Sequence, residues 1–215
     1  MKDREMKTGI VLIVLGLVLS TGLGYYFGTI TAPASSSGQT TPYELTLVIT
    51  TNNLFNSSVG DQPAFYVLGP DGLQSSARIA LPANTLIQVV IVNYDDGNAT
   101  PSSPEYYKVS GTVNGMMSVV NSTMVNATQG PSGIVITGSQ TVSGLSADLI
   151  SHTFTVPQLN LNLPIPASGT VIANFMTGAA GNYAWLCTSP CGSGVNGTAG
   201  AMITPGWMDG TLAVG

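Results

Sequence analysis

Past residue 30 no stretch of this chain shows a convincing 3.6-residue apolar period. Without one, no amphipathic helix can bury a face against a core. What the chain offers instead is a series of short apolar or alternating runs, cut by Gly, Pro, Asn, Asp and Ser. YELTLVIT (43–50) alternates as a first strand. AFYVLGPDGL (64–73) is a strand ending in a turn at Pro70-Asp71-Gly72. RIALPANTLIQVVIVNYD (78–95) holds two strands around Leu81-Pro82-Ala83-Asn84, the second (85–93) apolar enough to be central. YYKVSG (106–111), MMSVVNSTMV (116–125) and the run at 134–136 are weaker strand segments. SHTFTVPQL (151–159), TVIANFMTG (170–178), NYAWLCT (182–188) and GTLAVG (210–215) complete the set. Seven or more short strands in about 170 residues predict an all-β sandwich. There is no internal repeat.

Composition narrows the function classes. Charged residues are 7% of the chain, the net charge is −5, and of five Lys+Arg only Arg78 and Lys108 lie beyond residue 8. A nucleic-acid partner would need a basic patch that this chain lacks. The 44% hydrophobic content excludes a disordered chain.

Residues 9–30 carry no charge. A helix of that length spans about 30 Å, the thickness of a bilayer core. Lys2, Arg4 and Lys7 before it predict a cytoplasmic 1–8 and an extracytoplasmic remainder, with Tyr25 and Tyr26 at the interface. The alternative is a cleaved signal peptide, with Ala32-Pro33-Ala34 as its cleavage site. Residues 31–42 read as a Pro/Ser/Thr linker and 43–215 as the extracytoplasmic domain. Asn56, Asn98, Asn121, Asn126 and Asn196 open N-x-[ST] sequons, which suit a glycosylated surface protein and also arise by chance in so Asn/Ser/Thr-rich a chain.

The chemistry-bearing residues gather in the last third. Cys187 and Cys191 are the two cysteines, spaced C-x3-C, and His152 is the single histidine. The cysteines admit three readings: thiolates on a soft metal, a disulfide in an oxidising compartment, or free thiols. Met202 and Met208 lie in GAMITPGWMDG, where a thioether can serve a metal or simply pack on Trp185 or Trp207. Trp185 reads as core, and Met116, Met117 and Met124 as apolar filling. Asp95-Asp96-Gly97-Asn98 lacks the later Glu of a calcium loop and reads as a turn. No carboxylate pair at useful spacing and no G-x-S-x-G supports catalysis.

In four segments, in order, residues 148–214 resemble the copper-carrying domain of cytochrome oxidase subunit II, a member of the cupredoxin superfamily. HTFTVPQL is similar to the family's His-x-Phe-x-Val-Pro-x-Leu strand. LPIPASGTVIANFMTGAAGNYAW resembles its Pro-Gly corner, next strand and Gly-x-Tyr step. CTSPCGSG resembles Cys-x3-Cys-Gly-x-Gly, and MDGTLAV the closing Met-x-Gly-Thr-Ile-Val-Val. The resemblance implies a cupredoxin-like Greek-key β-sandwich behind the single transmembrane helix. It also implies copper on His152, the Cys187 and Cys191 thiolates, the Met208 thioether (or Met202) and the Ser189 carbonyl. The family pattern Cys-x3-Cys-x3-His-x2-Met departs here. Its second histidine falls on Val195 counting forward or Pro205 counting back, and Met208 lies ten positions beyond the expected Thr198. The site implied is a mononuclear or altered binuclear copper centre. The protein would be a membrane-anchored electron carrier or oxidase subunit II-like component, with a redox partner or terminal oxidase beside it, rather than a stand-alone enzyme. The alternatives are a copper-free surface or accessory protein with a Cys187–Cys191 disulfide, and a copper chaperone or store.

Overall fold

Apart from YYKVSG, the strand segments expected between residues 43 and 215 lie on or beside strands in the structure, a computed structural model that describes residues 41–125 and 133–215. The expected membrane span at 9–30, nearly all of the linker and the sequon at Asn126 lie outside the described residues. No helix of the described residues is long and apolar enough to cross a membrane. Residues 41–122 and 136–215 belong to one compact unit.

The strands are β1 (Tyr43–Thr50), β2 (Ala64–Gly69), β3 (Gly72–Ser75), β4 (Arg78–Leu81), β5 (Leu86–Asn93), β6 (Met117–Val125), β7 (Gly133–Val142), β8 (Ile150–Val156), β9 (Leu161–Pro166), β10 (Gly169–Met176), β11 (Gly181–Leu186) and β12 (Asp209–Val214). They form a seven-stranded sheet, order β3-β2-β1-β5-β10-β6-β7, and a five-stranded sheet, order β4-β12-β11-β8-β9. The apolar run at 85–93 is central as expected. β5 pairs in parallel with β1 (Thr46 with Val90) and antiparallel with β10 (Ile172 with Val90). Ile87, Val89 and Ile91, at alternate positions, are fully buried.

The core between the sheets is aromatic near its centre. Phe65 and Trp185 meet edge to face at 5.2 Å, and Phe154 lies 5.6 Å from Trp185. Such pairs add about 0.5–1.5 kcal/mol beyond their buried area. Trp185 is core, as expected, and its indole N–H donates to the Ser76 carbonyl at 3.1 Å. In the β11–β12 register Gly210 stands opposite Trp185, and a Cβ there would lie 2.5 Å from the indole nitrogen. That contact explains the glycine of the MDGTLAV segment.

Two segments differ from expectation. YYKVSG is not a strand: residues Pro104–Tyr107 form a 3-10 turn, and Lys108, Ser110 and Thr112 make only isolated bridges. Its consecutive tyrosines and single valine provide no alternating buried face. LNLPIP, not read as a strand in the sequence, is β9. It is the edge of the five-stranded sheet, where Pro164 and Pro166 can sit because one side of an edge strand needs no N–H donors.

Candidate metal centre

β8 reaches the site through a bulge. Ile150 pairs with Pro166 and His152 with Ile165, so one residue of β8 lies between two pairs that are adjacent on β9. The extra residue, Ser151, re-aims the strand beside the cysteines. His152 is 1% exposed, and Phe65 meets its ring edge to face at 6.2 Å. Cys187 follows the last residue of β11 and is 1% exposed; its N–H donates to the Met208 carbonyl at 2.7 Å, which ties the loop to the start of β12. Cys191 lies one turn further, its N–H on the Ser189 carbonyl at 2.9 Å.

The three side chains converge. His152 Nδ1 is 3.0 Å from Cys191 Sγ, and the two sulfurs are 3.6 Å apart. One ligand atom from each of His152, Cys187 and Cys191 lies within 4.8 Å of the others, the one such grouping among the described residues. At 3.6 Å the sulfurs are not bonded to each other as in the disulfide that the sequence also allowed, since a bonded pair sits at about 2.05 Å.

On the other side of the ring Nε2 is 2.9 Å from Asp95 Oδ2. Asp95 follows β5 and was read from the sequence as part of a turn. It is one: its Oδ1 accepts the Gly97 N–H at 3.1 Å. It also orients the histidine, as a carboxylate behind a metal-ligating imidazole does. No local signal in the sequence separates this second role from the first.

The electrostatics follow from this packing. Burial opposes a charge on His152, but the hydrogen bond it donates to Asp95 and the sulfur nearby outweigh it and push the imidazolium up to about 9. Burial likewise opposes ionisation of Cys187, yet the hydrogen bonds from Cys191 and His152 hold its thiol well below the usual range. The hydrogen bond with Cys187, then burial, push Cys191 up. Because Nδ1 lies 3.0 Å from the Cys191 sulfur, the negative charge is best assigned to the sulfur pair as a unit. Burial opposes the Asp95 charge as well, and the His152 contact keeps its carboxyl below the ordinary value.

The other sequence candidates divide. Ser189 is buried, and its carbonyl oxygen lies 3.7 Å from Cys187 Sγ, so it faces the sulfurs. Met208 is fully buried in the core and touches the site through its main chain. Met202 is partly buried and packs beside Gly192. Neither position suggested for a second histidine is useful: Val195 is 84% exposed and Pro205 is exposed. The residues beyond the family's spacing fold on themselves. Ser193 and Ala199 exchange main-chain hydrogen bonds, and the Ala201 N–H donates to Gln62 Oε1 at 2.9 Å. At Gly192 a Cβ would lie 1.9 Å from the Ala199 carbonyl oxygen, so only glycine fits there.

The donor set fits copper. Two thiolates and an imidazole are ligands that suit copper, and the site is buried and pre-assembled. With arms of about 2.3 Å to sulfur and 2.0 Å to nitrogen, as at zinc, one ion spans atoms up to about 4.3 Å apart. The 3.0 and 3.6 Å separations fall inside that reach. The Thr153 N–H at 3.4 Å from Cys187 Sγ supports a thiolate.

No protein-family model matches the chain, and no curated protein matches it. Among solved structures, it is similar to auracyanin B at 17% identity, covering 82% of this chain and 92% of that one, with a TM-score of 0.34. It is similar to the periplasmic domain of subunit II of cytochrome oxidase (CoxB) of Bradyrhizobium japonicum at 11% identity, covering 86% and 88%, with a TM-score of 0.34. Rusticyanin from Thiobacillus ferrooxidans matches at 15% identity, covering 81% and 79%, with a TM-score of 0.31. The neighbours are thus cupredoxins and an oxidase subunit domain. At these TM-scores they carry no argument about chemistry, which rests on the side chains.

Proposed function

We propose that this protein binds copper at His152, Cys187 and Cys191 and passes single electrons. One observation supports the reading above all: the buried convergence of the lone histidine with both cysteines, ligand atoms within 4.8 Å of one another. Bound copper would supply the one-electron couple. The chain's own residues do the rest. The sulfur pair takes up the metal's charge, Asp95 fixes the imidazole with Nδ1 toward the sulfurs, and Phe65 with the sandwich core excludes water. The Ser189 carbonyl stands beside Cys187 as a further donor, and Met208 or Met202 is the thioether candidate. The sequence alone supports the finer reading: an anchor at 9–30, an extracytoplasmic domain at 43–215, and a redox partner such as a terminal oxidase.

A second reading, a copper-free accessory protein, is supported by the missing second histidine, for which Val195 and Pro205 offer no substitute. One experiment separates the two. The reduced protein is loaded with Cu(I) or Cu(II), desalted, and assayed for copper and for a reversible one-electron wave. Stoichiometric copper with a reversible wave supports the carrier. Copper lost on desalting would leave the accessory reading.

A further inference from the structure

A buried polar seam leads away from the donor set along β8. Side chains alternate along a strand, so Thr153 and Thr155 point opposite to His152 and Phe154. Both threonines are buried all the same, at 0% and 4% exposure. Thr153 Oγ1 lies 2.7 Å from the amide nitrogen of Thr188 and 2.9 Å from its hydroxyl. It is also 3.1 Å from Thr155 Oγ1, which is 2.7 Å from Asn162 Oδ1. Asn162 Nδ2 donates to the carbonyls of Tyr106 at 3.0 Å and Lys108 at 2.7 Å.

Counting protons gives the seam a direction. Asn162 uses both amide hydrogens on the two carbonyls, so its Oδ1 must accept. Thr155 has one hydroxyl proton and gives it to Asn162. Its oxygen can then only accept, and takes the proton of Thr153. With that proton used, Thr153 accepts both donors of Thr188. Its hydroxyl is saturated, and the peptide after Cys187 is anchored through it to β9 and the 104–110 segment. The Thr153 main-chain N–H meanwhile donates to Cys187 Sγ at 3.4 Å. Thr153 is the neighbour of His152 in the chain, and it grips both the sulfur of Cys187 and the peptide that follows.

We infer that Thr153 is a positioning residue of the metal centre, whose hydroxyl holds the 187–188 peptide so that the Cys187 sulfur stays in register with His152. This inference rests on the copper reading above. A buried threonine can also do no more than satisfy polar groups of the fold, and the test must tell the two apart.

Thr153→Val keeps the volume and removes the hydroxyl, Thr153→Ser restores it, and Thr155→Val breaks the same seam without touching the 187–188 peptide. The full-length variants are compared by Cu(I) competition against a chelator, by the sulfur-to-copper absorption band of the oxidised form, and by thermal unfolding without metal. Loss of an outer partner of a ligand weakens metal binding by about 10–100-fold. Thr153→Val should show that loss and a shifted band, Thr153→Ser neither, and Thr155→Val a lower Tm with the wild-type band. Where valine prevents folding, Thr153→Ala takes its place with the same expectation. Wild-type affinity and band in the folded Val or Ala variant would overturn this inference alone. Absence of copper from the unsubstituted protein would overturn the copper reading and this inference with it.

Discussion

The chain holds one histidine and two cysteines, all three in the candidate centre. The ordinary carboxylate values lie below about pH 6.5 and those of Lys, Tyr and Arg above about 8.5. The pH dependence of stability of the reduced, metal-free protein in that window therefore reports the centre. His152 is raised from 6.5 to about 9, so its contribution is complete below pH 6.5 and is lost as pH rises through about 9. Between those values the native state holds one proton more than the unfolded chain, which alone would lower stability by about 1.4 kcal/mol per pH unit. The sulfur pair works the other way. Cys187 is lowered, so its contribution is present above the ordinary thiol range, near 8.5, and is lost as pH falls. Across the window the native state has given up one thiol proton that the unfolded chain keeps, which alone would raise stability by the same slope. The two cancel, because folding has moved a proton from sulfur to imidazole without exchanging one with solvent. Urea unfolding at fixed pH should give a plateau from about pH 6.5 to 8.5. Stability should fall below the plateau with a slope of about 1.4 kcal/mol per unit. Above it stability should fall again, as unfolded thiols ionise while Cys191, pushed up, keeps its proton. A steady loss of about 1.4 kcal/mol per unit between pH 7 and 8 would refute the thiolate–imidazolium pairing.

Other outcomes follow from the same geometry. Asp95→Asn should weaken copper binding by about 10–100-fold in a chelator competition, because it removes the carboxylate behind His152; unchanged affinity would show that the 2.9 Å contact does not orient the ligand. Gly192→Ala would press a Cβ to 1.9 Å from the Ala199 carbonyl oxygen, and the forced shift should cost about 1–3 kcal/mol, read as a lower urea midpoint. Phe154→Ala, which opens a cavity beside Trp185, should cost about 3–5 kcal/mol with the cysteines still reactive to a thiol reagent after unfolding.

The strands were largely legible because strand burial is a local pattern. Ile87, Val89 and Ile91 announce a buried strand by alternation, and the Pro70-Asp71-Gly72 turn joins β2 to β3 as its residues require. β9 was hidden because Asn162, Pro164 and Pro166 disfavour a strand in general and are tolerated only at an edge, which local sequence cannot reveal. In the centre, His152 and the C-x3-C pair were visible as residue types that metals choose. Asp95 was not. It lies 57 positions from His152, and its turn signature is satisfied by Gly97 whether or not a histidine stands behind it. Thr153 was hidden for a related reason, since a threonine in a strand is ordinary until β11 closes beside it. The ten extra positions before Met208 depart from the family's spacing. In the structure they form a self-bonded segment fastened to Gln62, which leaves His152, Cys187 and Cys191 undisturbed.

X-ray absorption on the copper-loaded protein identifies the atoms that hold the metal, with the Cys187→Ser/Cys191→Ser variant as its control. Sulfur scatterers at about 2.3 Å and nitrogen at about 2.0 Å are expected around copper, with the sulfur shell lost in the variant. Copper surrounded by oxygen and nitrogen alone, or an identical spectrum from the variant, would contradict thiolate ligation.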